Sequence, residues 1–98
     1  MNCALALQTL PQVDDTKELV RIVDEVIAYI ESTGLEYFVG PFETTVEGDL
    51  DQIMDIIRKS QEIAIREGAP MVSSYVKLVY SPDQSILTTD EKVSKYHE

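Results

Sequence analysis

The sequence predicts an α+β fold whose elements run strand, helix, strand, strand, helix, strand. Three observations predict it. Two stretches of helical periodicity each begin at an aspartate and end at a glycine, over residues 15–34 and 49–68. Short apolar or alternating runs stand before, between and after them. At 98 residues the chain has room for one core, so the helices must pack on the sheet that the strands build.

Residues 3–10, CALALQTL, are a short apolar run that reads as a buried strand. A turn-like stretch, Pro11 to Asp15, follows. Asp15 fits a helix N-cap, with Glu18 three residues on to complete a capping box. Leu19, Ile22, Val23, Val26, Ile27 and Ile30 recur at helical spacing, and Gly34 closes the helix in a left-handed conformation. LEYFV and FETTVE, within residues 35–47, are two short strands joined through Gly40-Pro41. Asp49 caps the second helix, with Gln52 at the capping-box position. Leu50, Ile53, Ile56, Ile57 and Ala64 then face the sheet, and Gly68 stops the helix. Residues 71–80, MVSSYVKLVY, alternate as a strand, and Ser81-Pro82-Asp83 breaks it. The domain is expected over 1–82, and 83–98 reads as a polar tail with one or two helical turns from Thr88 or Thr89.

Two strand–helix–strand units around a central hairpin match the split βαβ motif, the ferredoxin-like βαββαβ arrangement. Right-handed crossovers place both helices on one face of a four-stranded antiparallel sheet, leaving the other face bare. Alternation of side chains assigns residues to that bare face. Phe42, Thr44 and Val46 suit the core, so Glu43, Thr45 and Glu47 turn away from it. Val72, Ser74, Val76 and Leu78 go to the core side, and Ser73, Tyr75, Lys77 and Val79 to the bare side. The bare face therefore carries Gln8, Thr45, Glu47, Ser73, Tyr75 and Lys77 around Ala4 and Ala6. Three readings fit such a face: an interface, a small-molecule pocket or a solvated surface. The first two can coexist where two sheets meet.

Composition excludes several functions. A net charge of −10 offers no basic stripe for nucleic acid. No apolar run approaches the ~20 residues that span a bilayer, and the start lacks a basic flank and a cleavage region, so a cytoplasmic location is expected. Cys3 stands alone, which leaves no intramolecular disulfide, and reads as a buried inert thiol. His97 is the one histidine and reads as a tail residue. No glycine-rich phosphate loop occurs. Residues 10–15, LPQVDD, carry neither the arginine of an acylphosphatase nor the CxxC of a copper chaperone. No metal site is expected.

Two stretches resemble a known family. YFVGPFETTVEGDLDQIMDII, residues 37–57, is similar to a hairpin in which a Thr-x-x-Glu-Gly-(Asp/Glu) step leads into the second helix. Here that step runs through Thr44 or Thr45, Glu47, Gly48 and Asp49. REGAPMVSSYVKLVY, residues 66–80, looks like the same family's helix end and final strand, although Ala69-Pro70 stands where the family often has arginine. The family is that of the small, YkoF-like thiamine-binding proteins, and the resemblance covers about residues 3–80.

The resemblance implies homo-oligomers, commonly tetramers, built from uncovered sheet faces and edges. It implies non-enzymatic binding of thiamine or its hydroxymethylpyrimidine part as a ligand, with no further cofactor. Within it, Glu47 suits the pyrimidine ring, Thr45 and Ser73 its amino group, and Tyr75 the thiazolium cation. With Gln8 these are the five expected ligand-binding residues. A ligand-responsive or structural oligomerisation module without thiamine specificity would need the same face, and remains the alternative.

Overall fold

The computed structural model describes residues 2–83, and the expectations for the tail and for His97 lie outside them. The elements are β1 (Cys3–Pro11), α1 (Thr16–Ser32), β2 (Glu36–Val39), β3 (Thr44–Gly48), α2 (Leu50–Arg66) and β4 (Val72–Tyr80). The strands form one antiparallel sheet in the order β2-β3-β1-β4, the ferredoxin-like arrangement.

The helices start where the sequence places them, by two different devices. The Asp15 carboxylate accepts from the Lys17 N–H at 2.9 Å and caps α1. Glu18 does not turn back to complete a capping box; its Oε2 accepts from Arg21 Nη2 at 2.9 Å instead. An arginine one turn on offers a charged donor, which outcompetes a single backbone amide. At α2, Gln52 Oε1 does accept from the Asp49 N–H, at 3.0 Å. Gly34 (φ 76°) and Gly68 (φ 116°) follow the two helices in the left-handed region that glycine enters without strain.

Cys3, Leu5 and Leu7 of β1 and Val46 of β3 share one face and pack with Val26, Ile30, Ile53, Ile56 and Ile63 of the helices. Ile22, Ala64 and Ala69 form a smaller cluster where α1 meets the end of α2. Burial also raises the pKa of the Cys3 thiol, which favours its neutral, unreactive form.

Two expectations about the core need correction. Phe42 belongs to no strand and is 77% exposed. The hairpin closes through the Gly40 N–H, which donates to the Glu43 carbonyl at 2.9 Å, so residues 40–43 form the turn and β3 begins only at Thr44. Glu43 leaves the strand with it. Val76 and Leu78 point to the helix side as expected, yet remain 46% and 40% exposed. They lie on an edge strand, and facing the core side there does not bring a helix over them.

Candidate functional site

Strand register fixes the composition of the helix-free face, because residues directly opposite one another share a face. Four rows cross it. Glu36, Glu47, Ala4 and Val79 form one, and Phe38, Thr45, Ala6 and Lys77 the next. Gln8 then faces Tyr75, and Leu10 faces Ser73. All five expected ligand-binding residues, Gln8, Thr45, Glu47, Ser73 and Tyr75, therefore lie on one face.

They do not form one site. Glu47 stands in the Ala4 row and Ser73 in the Leu10 row, six residues apart along β1. At about 3.4 Å per residue this is about 20 Å, too far for one small molecule to touch both. Gln8, Thr45 and Tyr75 lie in adjacent rows and are close enough to act together. Tyr75 is 70% exposed, whereas Glu47 is only 6% exposed.

A second feature opens on the other side of the sheet, where pairing is incomplete. β1 pairs with β4 along all nine of its residues, but with β3 only from Cys3 to Leu7. Beyond Leu7 the sheet lacks a corner, because the chain from Gly40 to Glu43 turns away. An apolar crevice of about 210 Å³ occupies that notch. Its walls are Leu7 and Leu10 of β1, Leu19, Val23 and Ile27 of α1, and Val39 and Phe42 of the hairpin. Thr9, Glu43 and Thr44 also line it, and so does Gln8, which like Leu10 belongs to a row of the helix-free face.

Among the polar residues of this crevice, Thr9 stands apart. Its side-chain oxygen is buried without a hydrogen-bond partner. Its backbone is directed by the alternation of the ladder. The Gln12 N–H donates to Met71 O, and the Ser81 N–H to Asn2 O, so even-numbered β1 residues bond towards β4. Odd-numbered ones bond towards β3, and at Thr9 no strand stands opposite. Sequence reasoning missed Thr9. The one signal was that the first apolar run is longer than its hairpin partner, which shows only once the hairpin's true turn is known.

A third depression, about 300 Å³, lies between the helices and is lined by Tyr29, Ser32, Gln52, Asp55 and Lys59 among others. Lys59 Nζ stands 5.9 Å from the centre of the Tyr29 ring. Burial, reinforced by the Asp55 charge, raises the Tyr29 pKa. Among the described residues no cluster of three or more His, Cys, Asp or Glu side chains is arranged to hold a metal ion, and no helix is long and apolar enough to cross a membrane.

Comparison with known proteins gives this geometry a context. The family model described as "Thiamine-binding protein" matches residues 5–97. The chain belongs to the thiamine-binding protein family. A UPF0045 protein of Clostridium perfringens is 52% identical over 95 residues, covering 97% of each chain. A solved domain of unknown function from Bacillus cereus superposes with a TM-score of 0.86 at 34% identity, over 98% of this chain and 90% of that one. A Thermotoga maritima structure, described as a candidate thiamine biosynthesis/salvage protein, gives 0.83 at 31% identity, over 98% and 99%. The family description names a binder and no reaction.

Proposed function

We propose that this protein binds thiamine or its hydroxymethylpyrimidine moiety without chemical turnover, as a homo-oligomer. The observation that carries the reading is the family match over residues 5–97, supported by the Thermotoga maritima relative. The patch of Gln8, Thr45 and Tyr75 suits the chemistry. It offers an amide, a hydroxyl and an aromatic face in a chain of net charge −10, an environment that favours a cation over an anion. Glu47 and Ser73 stand at opposite ends of that patch, so one thiamine contacts at most one of them.

Assembly is supported by the outer edge of the sheet. β4 is nine residues long, and Tyr75, Val76, Leu78, Val79 and Tyr80 are all exposed along it. From Gly68 to Pro82 the sequence contains no aspartate or glutamate, the stretch where two such acidic chains repel least. A long apolar edge of this kind is a template for another strand. The same observation favours the second reading, an oligomerisation module without thiamine specificity.

Calorimetry with thiamine, hydroxymethylpyrimidine and a panel of amino acids separates the two. Saturable binding of the first two alone is expected, and binding of an amino acid instead would favour the module. Light scattering at micromolar concentration should give a mass well above 11.0 kDa; a monodisperse monomer would remove the oligomer from the reading.

A further inference from the structure

We infer that the ring-binding site is the notch beside Thr9, on the helix side of the sheet, and that it takes an uncharged aminopyrimidine edge-on. The inference rests on the thiamine reading for its natural ligand, but the geometry of the notch stands independently of it.

Size comes first. The crevice holds about 210 Å³, below the about 300 to 1,000 Å³ of sites that enclose drug-sized ligands, so it suits a single ring. Its apolar walls are aliphatic apart from Phe42, whose side chain belongs to the exposed turn. Such a lining admits a flat, neutral heterocycle and disfavours a charged one, which would lose its hydration there.

Polarity comes second. A strand residue whose partner strand has ended presents an N–H donor and a C=O acceptor side by side. Thr9 is such a residue, since the β1–β3 ladder stops at Leu7 opposite Thr44. An aminopyrimidine carries the complementary pair on one edge: a ring nitrogen that accepts and an exocyclic amino group that donates. A ring docked this way continues the missing β3 ladder by one step. The buried Thr9 hydroxyl, which lacks a partner in the protein, lies in the same crevice and can serve a further polar atom of the ring.

Charge comes third. Glu43 lines the crevice and is exposed, so a carboxylate stands in water beside an apolar slot. A ligand with a neutral ring and a cationic remainder fits that polarity: ring inside, cation outside. Thiamine has this division. Gln8 joins the notch to the helix-free face and can contact either half.

The test is an amide-shift titration of the full-length chain, using hydroxymethylpyrimidine, thiamine and the isolated thiazole alcohol as separate probes. The pyrimidine is expected to shift the amides of Leu7 to Leu10 and Gly40 to Thr44, and the thiazole alcohol to leave Thr9 unmoved. Val23→Trp, which fills the crevice, should abolish these shifts, with a dispersed spectrum reporting that the variant folds. Thr9→Val keeps the shape and removes the hydroxyl; it should weaken pyrimidine binding by up to about tenfold, the size of one hydrogen bond. Pyrimidine shifts confined to Ala4, Ala6, Thr45, Glu47 and Tyr75 would overturn the notch and leave thiamine binding standing. Pyrimidine binding in the notch without any response to thiamine would keep the notch and overturn the thiamine reading. No shift from any probe at millimolar concentration would overturn both.

Discussion

Arg21 of α1 clamps Glu67, the residue that ends α2: Nη1 donates to Glu67 Oε1 at 2.8 Å and Nη2 to the Glu67 carbonyl. The same guanidinium also holds Glu18 on its own helix. One side chain thus ties two helices together across 46 residues of chain and occupies a carbonyl left open at a helix end.

This clamp makes stability depend on pH in the acid range. The hydrogen bond from Arg21, reinforced by Arg66, holds the Glu67 pKa below its ordinary value. A carboxylate with a depressed folded-state pKa contributes stability that is present above its unfolded pKa and lost as pH falls through the folded one. Arg21→Met should therefore melt below wild type near neutral pH, with the gap narrowing as pH falls below about 4 to what the bond to the Glu67 carbonyl contributes. Thermal melts of both proteins from pH 7 to 3 check this. A gap independent of pH would assign the loss to packing and to the bond with the Glu67 carbonyl, not to the carboxylate.

Ser60 faces the core of α2, fully buried, and its hydroxyl has no hydrogen-bond partner. Ser60→Ala removes that unsatisfied group and places the better helix former there. A gain of about 1 kcal/mol is expected, which raises the midpoint by about 4–8 °C in a domain of this size. A lowered midpoint in calorimetry would mean that the hydroxyl is satisfied in solution.

Glu47 combines a position on the helix-free face with near-complete burial, beside the start of α2. A carboxylate there gains from the helix dipole, by about 0.3–1 kcal/mol. Glu47→Gln keeps its size and removes its charge. The midpoint should fall by a few degrees, on the order expected for that loss, while thiamine affinity stays within about twofold, a change of about 0.4 kcal/mol. Melting and calorimetry on the same variant decide; an affinity loss at unchanged stability would place Glu47 in the binding site instead.

Thiamine should bind more tightly than thiamine diphosphate, by on the order of tenfold, or about 1.4 kcal/mol. On the helix-free face Lys77 stands as the one cation among the described strand residues, against Glu36 and Glu47. A diphosphate adds negative charge to a chain already at −10. The difference should narrow as salt screens the repulsion. Parallel titrations at low and high ionic strength measure it, and equal or tighter diphosphate binding at low salt would reveal an anion site.

Period and punctuation in the sequence were enough for the order of elements, the Asp15 and Asp49 helix starts, the glycine stops and the face to which each β1 and β4 side chain turns. All of these depend on neighbours a few residues apart, where helical and strand periodicity act directly. Tertiary structure alone decided three other things. Phe42 reads as a core strand residue, but the Gly40–Glu43 closure puts it in the turn. Val76 and Leu78 carry the alternation of buried residues yet stay half-exposed, because β4 is an edge. The distance from Glu47 to Ser73, and the notch at Thr9, arise from where one strand ends relative to another. That register is a property of residues about 40 apart in sequence, from Leu7 opposite Thr44 to Cys3 opposite Gly48, so no local pattern encodes it.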